Sequence, residues 1–204
     1  MRDWGSVSIR CHQRTNSVFR GTSSLCLPRR ERFADTGTVL RTVVLFMPVF
    51  TRHTHVRASL DSVWEFHSSI DGLVALTPGV ANLRIERVVD ADGRPADRDQ
   101  LVPGTRVEAS VRPFGVGPRH AWTSVIVERT EEPGARVFVD EMQDGPFPHW
   151  RHTHAFYADG PETLLRDRIE YELPATFGPL SRFGALGFEP VFRYRHRQTK
   201  EILE

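Results

Sequence analysis

Hydrophobic and polar residues alternate with a period of two over most of the chain after residue 82. The segments that show this alternation are predicted as strands, and they are Leu83–Val89, Thr105–Val111, Trp122–Arg129, Arg136–Met142, Trp150–Tyr157 and Leu164–Leu173. Short turn-like sequences such as Asp92-Gly93 and Pro133-Gly134 separate them. Consecutive strands joined by short turns form an antiparallel meander, so the pattern predicts an antiparallel sheet.

Other patterns flank this series of strands. Val49–Arg57 is rich in β-branched and aromatic residues and predicts a further strand, and apolar residues at helical spacing between Ser59 and Pro78 predict two short helices. At the other end of the chain, Pro190 is well placed to start a long terminal helix. The residues that share one face of this helix are Val191, Phe192, Arg195, Thr199 and Ile202.

This order of elements predicts an α+β fold, in which a curved seven-stranded antiparallel sheet surrounds a long C-terminal helix, with two short helices after the first strand. The terminal helix is the only remaining element long enough to cover the apolar concave face of the sheet. Because a helix is only about 10 Å wide, it covers such a sheet without filling it. We therefore expect a cavity of roughly 300 to 1,000 Å³ between sheet and helix; a collapsed core without usable space is the alternative.

Composition separates the first 46 residues from the rest of the chain. They contain eight arginines and three acidic residues, whereas residues 47–204 contain 19 basic and 23 acidic residues. The segment shows no sustained periodicity before Thr38. An organelle transit peptide or a basic tail for an acidic partner are open alternatives. The preferred interpretation is a disordered or non-native extension over residues 1–46, followed by one domain over residues 47–204.

Charge, hydropathy and cysteine content exclude several classes of function. The 27 basic and 26 acidic residues give a net charge of +1, so no basic field points to a nucleic-acid partner. No stretch approaches the roughly 18 apolar residues that cross a bilayer, which excludes integral membrane association. Cys11 and Cys26 both precede the domain, so disulfides and thiol nucleophiles play no part in it, and a cytoplasmic location is expected.

Neighbouring strands each place polar residues on a face that also carries aromatic or apolar residues. These residues are Phe138, Asp140 and Met142 on one strand, Trp150, His152, His154 and Phe156 on the next, and Asp167 and Tyr171 on the last. The terminal helix adds Phe192 and Arg195. Because a carboxylate that faces a cavity is costly unless it is paired, we predict that Asp167 or Asp140 pairs with a histidine or with Arg195.

These strands and the terminal helix also carry motifs that resemble a known family. The motif residues are Asp140-Glu-Met-Gln-Asp-Gly-Pro-Phe-Pro-His-Trp-Arg-His-Thr-His154 with Phe156, then Leu165-Arg-Asp-Arg-Ile-Glu-Tyr-Glu-Leu-Pro174, and Pro190-Val-Phe-Arg-Tyr-Arg-His196. They are similar to a branch of small bacterial and archaeal ligand-binding proteins in the START-like, or SRPBCC, superfamily, which includes polyketide cyclases. The resemblance covers residues 48–203 and implies a helix-grip fold and a ligand pocket rather than a particular reaction.

The preferred function is non-covalent binding of a small hydrophobic or amphipathic molecule between the sheet and the terminal helix, by the residues named above. For the polar residues among them, three interpretations stay open. They satisfy one another and fix the sheet register, or Arg195, the histidines and Tyr171 contact the polar end of the ligand. In the third, His152, His154 or Asp167 serves as acid or base in a cofactor-independent cyclase or dehydratase-like enzyme. A regulatory or interaction domain without a small ligand is a further class.

No cofactor and no metal are predicted. His149, His152 and His154 form an H-x-x-H-x-H string, but strand alternation turns His149 away from the other two, so the three do not converge on one ion. His53 and His55, which share a face of the first strand, are the further histidines considered for such a site.

Overall fold

The computed structural model describes residues 47–175 and 184–204, which all belong to a unit that runs from Val44 to Glu204. The extension predicted over residues 1–46, with Cys11 and Cys26, lies outside the described residues. No helix within the described ranges combines the length and the apolar composition needed to span a membrane.

Seven strands and three α-helices form the described part of the chain. The strands are β1 (Val49–Val56), β2 (Arg84–Val89), β3 (Arg106–Val111), β4 (His120–Glu132), β5 (Ala135–Gln143), β6 (His149–Asp159) and β7 (Glu162–Glu172). The helices are α1 (Leu60–His67), α2 (Ile70–Ala75) and α3 (Gly184–Leu203). The predicted α+β class, the seven strands and the two short helices after β1 are confirmed.

The strands form one antiparallel sheet in the order β1-β7-β6-β5-β4-β3-β2. Strands β2 to β7 follow one another as the predicted meander, and β1 adds to the outer side of β7. Gly134 and Gly160, in the turns of the β4–β5 and β6–β7 hairpins, have φ angles of +80° and +59°. Glycine enters this left-handed region without steric cost, which is why these tight turns use it.

The main core forms where α1 packs on the concave face of the sheet. Trp64 of α1 contacts the rings of Phe138 on β5 and Phe156 on β6, with centroids 5.8 and 5.6 Å away in edge-to-face geometry. Phe138 and Phe156 are only 4% and 0% exposed. Both belong to this core cluster, and their predicted contact with a ligand stays a prediction.

The prediction that the terminal helix begins at Pro190 is wrong, because α3 begins at Gly184 and contains Pro190. Proline removes one main-chain hydrogen bond from a helix interior, so sequence alone favours a start at that residue. Packing outweighs this preference here. Phe188, which lies before the proline, packs its ring against Phe50 and Trp150 at centroid distances of 5.9 and 5.4 Å.

The face that α3 turns towards the sheet also differs from the prediction. Phe192 and Thr199 are buried as predicted, but Val191 and Ile202 are 42% and 47% exposed. The residue between the two buried positions on this face is His196, which is 3% exposed. Positions separated by four and three residues lie on one side of a helix, so Phe192, His196 and Thr199 form the buried stripe.

Candidate functional site

Polar side chains from three strands and α3 meet on the concave face of the sheet. Asp140 of β5 lies directly opposite His152 of β6, and His154 of β6 lies directly opposite Asp167 of β7. Opposite residues of an antiparallel pair point to the same face. His196 of α3 reaches this group from above the sheet, with its Nε2 atom 2.6 Å from Asp167 Oδ2. We call these five residues the polar cluster.

Asp167 is the centre of the polar cluster. Its Oδ1 atom accepts a hydrogen bond from His152 Nε2 at 2.7 Å, and its Oδ2 atom accepts one from His196 Nε2. His154 Nδ1 lies 3.2 Å from Oδ1. Burial acts to raise the pKa of Asp167, but its interactions with the three histidines outweigh burial and hold this pKa well below its usual range. Asp167 is therefore a buried, ionised carboxylate.

Asp140 is the second carboxylate of the polar cluster and the member nearest to solvent, with 14% of its side chain exposed. Its Oδ2 atom pairs with His154 Nε2 at 3.1 Å and lies 3.7 Å from His152 Nδ1. Its Oδ1 atom accepts a hydrogen bond from Ser124. Burial acts to raise the pKa of Asp140, but the bond from His154 and the neighbouring charges lower it overall. This carboxylate is also ionised.

The two histidines of β6 differ in protonation although their ring centroids are only 3.7 Å apart. Burial acts to lower the pKa of His154, but its hydrogen bond to Asp140 and its closeness to the Asp167 carboxylate outweigh burial and raise it. For His152, burial and the charge of His154 lower the pKa despite the bond to Asp167. These opposite directions favour the protonated form of His154 and the neutral form of His152.

The predicted carboxylate pairing is confirmed for histidines, whereas Arg195 forms no ion pair with Asp140 or Asp167 within the described ranges. Its Nε atom is buried without a hydrogen-bond partner among the described residues, and its guanidinium lies 5.8 Å from the Phe192 ring. Burial lowers the pKa of Arg195, while both carboxylates act to raise it. Successive side chains of a helix leave its axis about 100° apart. The side chain of the next residue, His196, therefore points in a different direction from that of Arg195 and reaches Asp167.

The sequence pattern did not identify His196 or His67 as site residues. His67 ends α1 and pairs through Nε2 with Thr199 Oγ1 of α3 at 3.0 Å. Burial, followed by the charge of Arg195, lowers the pKa of His67 well below its usual range. A helical signal was present in both cases, since His67 follows Trp64 by three residues and His196 follows Phe192 by four, which places each histidine on a buried face.

The other predicted ligand contacts divide into buried and accessible side chains. Tyr171 and Phe192 are 2% and 4% exposed and belong to a second core below α3, against which Trp150 packs. Met142 and Trp150 are half-buried. Their positions are thus known, while their contact with a ligand stays a prediction.

His53 and His55 do not belong to this site. Both are exposed on β1, and they alternate with Phe50 and Val56, which are buried. His55 Nδ1 lies 3.2 Å from Asp159 on the surface. The two histidines therefore face away from the polar cluster.

The concave face is more accessible beside Asp140 than beneath α3. Trp122 and Met142, which lie on this side of the sheet, are half-buried, whereas Ile169 of β7 is 0% exposed. A solvent-exposed groove of about 340 Å³ lies elsewhere, beside α1. Its lining is mostly charged and consists of Asp61, Trp64, Glu65, Ser68, Asp99, Gln100, Arg129, Glu131 and Arg136. The cavity between sheet and α3 stays a prediction.

Three members of the polar cluster are able to hold a metal ion. Asp140, His152 and His154 each offer one ligand atom, and the three atoms lie within 4.8 Å of one another. His149 is not among them. The chemistry available to the polar cluster thus includes proton exchange between histidines and carboxylates, hydrogen bonding to a polar group, and metal coordination.

The sequence and the fold are both similar to those of known proteins. Residues 56–197 match the family model for polyketide cyclase/dehydrase and lipid transport proteins. A search of curated proteins gives no match. A START superfamily protein from Mycobacterium smegmatis has a similar structure, with a TM-score of 0.54 and 13% identity, over 76% of this chain and 96% of that protein.

Norcoclaurine synthase from Thalictrum flavum, in complex with dopamine and hydroxybenzaldehyde, also has a similar structure. The TM-score is 0.54 and the identity 15%, over 85% of this chain and 96% of the synthase. The family match and the shared helix-grip fold indicate a START/polyketide cyclase-like ligand-binding domain. The chain therefore belongs to the polyketide cyclase/dehydrase and lipid transport family.

Proposed function

We propose that the protein binds a small amphipathic molecule between the concave face of the sheet and α3, with an opening beside Asp140. The observation that carries this proposal is the position of the polar cluster. It is almost fully buried, and its most exposed member, Asp140, shares a face of the sheet with the half-buried side chains of Met142 on β5 and Trp122 on β4. A ligand on this surface has apolar contacts for its body and charged partners for its polar end.

The two parts of such a site contribute differently to binding. Apolar contact with residues such as Met142 and Trp122 supplies affinity, at about 25 cal/mol per Å² of buried surface before the cost of association. The polar cluster sets orientation. Arg195, whose Nε atom has no hydrogen-bond partner among the described residues, favours a ligand whose polar end carries negative charge.

The structural neighbours are consistent with this proposal. The norcoclaurine synthase structure contains dopamine and hydroxybenzaldehyde, so in that protein the same fold holds small aromatic molecules. At 15% identity this likeness supports the choice of a small ligand and not its identity.

The proposal predicts that a bulky side chain at residue 142 blocks the site. We expect Met142→Trp to weaken binding of 1-anilinonaphthalene-8-sulfonate, an amphipathic anion, at least tenfold, because the indole occupies the space of the apolar body. Fluorescence titration of the full chain measures the affinity. Gln143→Trp is the matched control, since Gln143 is exposed and points to the opposite face of β5. Equal affinities for both folded variants, checked by near-ultraviolet circular dichroism, contradict the proposal.

Acid–base catalysis is a second candidate function, and the protonation of the two β6 histidines favours it. Enzymes often place two titratable groups side by side and shift their pKa values apart, so that one serves as acid and the other as base. The raised pKa of His154 and the lowered pKa of His152 fit this arrangement, with Asp167 orienting His152 through the 2.7 Å hydrogen bond.

Catalysis of this kind predicts proton exchange at an activated carbon. We expect the protein to accelerate deuterium exchange at the central carbon of a 1,3-diketone, measured by NMR, and His154→Gln to reduce this acceleration about 100-fold, a typical loss for a general acid. His149→Gln, on the opposite face of the same strand, is the control. No acceleration by wild-type protein, or equal rates for His154→Gln and His149→Gln, contradicts catalysis.

A further inference from the structure

The three ligand atoms in the polar cluster have the spacing of a metal site. Asp140 Oδ2 lies 3.1 Å from His154 Nε2 and 3.7 Å from His152 Nδ1. Two ligands that each lie about 2.1 Å from a tetrahedral Zn²⁺ ion are about 3.4 Å apart. The observed separations lie on either side of that value, so one ion can contact all three atoms with small side-chain movements.

Two of the three ligands are also held through the atom that does not face the ion. Asp167 Oδ1 accepts the hydrogen bond from His152 Nε2, and Ser124 donates to Asp140 Oδ1. Carboxylates that bind the outer nitrogen of a histidine fix the ring and its tautomer in metal sites. Asp167 has this relation to His152, it lies 3.2 Å from His154 Nδ1, and its other oxygen accepts from His196.

Hydrogen bonding at His152 leaves its other ring nitrogen facing Asp140. Nε2 pairs with Asp167 Oδ1 at 2.7 Å, so Nδ1 is the ring nitrogen that remains for another contact. Nδ1 lies 3.7 Å from Asp140 Oδ2, which is beyond hydrogen-bond distance but within reach of one ion that contacts both atoms.

We propose that Asp140, His152 and His154 bind one divalent first-row transition-metal ion, for which Zn²⁺ is the test case, with Asp167 as the positioning residue. Two imidazoles and one carboxylate suit such ions better than Mg²⁺ or Ca²⁺, which prefer oxygen ligands. Three protein ligands leave one coordination position open, as in sites that bind an exchangeable molecule. The open side is that of Asp140, which is the most solvent-exposed of the three ligands.

The histidines of β6 and β1 do not by themselves supply three converging ligands, which is why the sequence predicts no metal. The third ligand is instead an aspartate on the neighbouring strand, and strand register brings it opposite His152. The proposal does not depend on the amphipathic ligand proposed above.

The test uses substitutions that remove one ligand atom and keep a polar atom near the outer position of the side chain. These are His152→Gln, which retains a nitrogen near the position of Nε2, His154→Asn, which retains one near Nδ1, and Asp140→Asn, which still accepts from Ser124. Isothermal titration of the full chain with Zn²⁺ follows binding, in a Cys11→Ser/Cys26→Ser background so that thiolates do not contribute. His149→Gln is the matched control on the other face of β6.

We expect one Zn²⁺ per chain, at least tenfold weaker binding in each of the three variants, and unchanged binding in His149→Gln. Replacing Zn²⁺ by Co²⁺ is expected to give visible d–d absorption that the three variants lose. Absence of stoichiometric binding, or binding that all three variants retain, overturns the proposal. A protein that binds 1-anilinonaphthalene-8-sulfonate but not Zn²⁺ overturns the metal site alone, and one that binds only Zn²⁺ overturns the amphipathic ligand alone.

Discussion

Replacing Asp167 by alanine is expected to lower the free energy of unfolding by about 3 to 5 kcal/mol, the typical cost of removing one partner from a buried ion pair. The carboxylate is 2% exposed and accepts hydrogen bonds from His152 and His196. Without it, two buried N–H groups lose their acceptor, and the protonated His154 loses one of its two counter-charges. Equilibrium unfolding in urea at pH 7, followed by tryptophan fluorescence, measures the loss.

An exposed aspartate–histidine pair provides the control for this prediction. Asp159 lies 3.2 Å from His55, but both side chains are more than half exposed, so Asp159→Ala is expected to cost less than about 1 kcal/mol. Asp167→Asn keeps the shape and one acceptor oxygen, and its loss is expected to lie between those of the two alanine variants. It also provides a measurement if Asp167→Ala does not fold. A loss for Asp167→Asn no greater than that for Asp159→Ala would show that the polar cluster contributes little to stability.

The composition of the polar cluster was largely predictable from the sequence because strand alternation determines the face of each residue. Once Trp150 and Phe156 are assigned to the inner face of β6, His152 and His154 must share it, and Asp167 follows from the apolar residues beside it on β7. The antiparallel meander then places the three strands side by side without further information.

Strand register was not predictable from the sequence. The spacing of the proposed metal ligands Asp140, His152 and His154 depends on it. Asp140 lies opposite His152 because of how β5 and β6 pair across residues 144–148. A different connection would shift the pairing and move Asp140 away from both histidines. Periodicity gives the face on which a residue lies, but it does not give the partner opposite that residue.

The buried face of α3 was not predictable from the sequence either, for a different reason. Val191 and Ile202 are apolar, so the sequence pattern predicts that they lie on the inner face of α3. Both are exposed in the structure. The buried stripe contains His196 because Asp167 offers this histidine a charged partner inside the fold. A polar residue that is buried by a specific partner carries no hydrophobic signal of its own.

Acid is expected to destabilise the protein between about pH 6.5 and pH 5, with His67 as the main cause. Its pKa in the folded protein lies well below its ordinary value because of burial and the charge of Arg195. In the unfolded chain His67 takes up a proton near pH 6.5. Below that pH the unfolded state binds more protons, so stability falls by up to about 1.4 kcal/mol per pH unit for this one group.

Two other histidines of the site have shifted pKa values. The lowered pKa of His152 acts in the same direction as that of His67, but it is lowered less. The stabilisation that comes with the raised pKa of His154 is fully present below its unfolded pKa near 6.5, so it stays nearly constant between pH 6.5 and pH 5. Asp140 and Asp167, whose pKa values are lowered, lose their contribution only below about pH 4. His67 therefore makes the largest contribution between pH 6.5 and pH 5.

Urea unfolding at pH 6.5 and at pH 5 measures this effect, and we expect a loss of about 2 kcal/mol for the wild-type protein over that interval. His67→Gln keeps a hydrogen-bonding group near Thr199 Oγ1 but does not titrate, so we expect it to show less than half of this loss. His53→Gln, on the exposed face of β1, is expected to behave as the wild type. If His67→Gln loses as much stability as His53→Gln between the two pH values, then His67 is not the group that senses acid. In that case, removing the titration of His67 leaves the difference in bound protons between the folded and unfolded states unchanged.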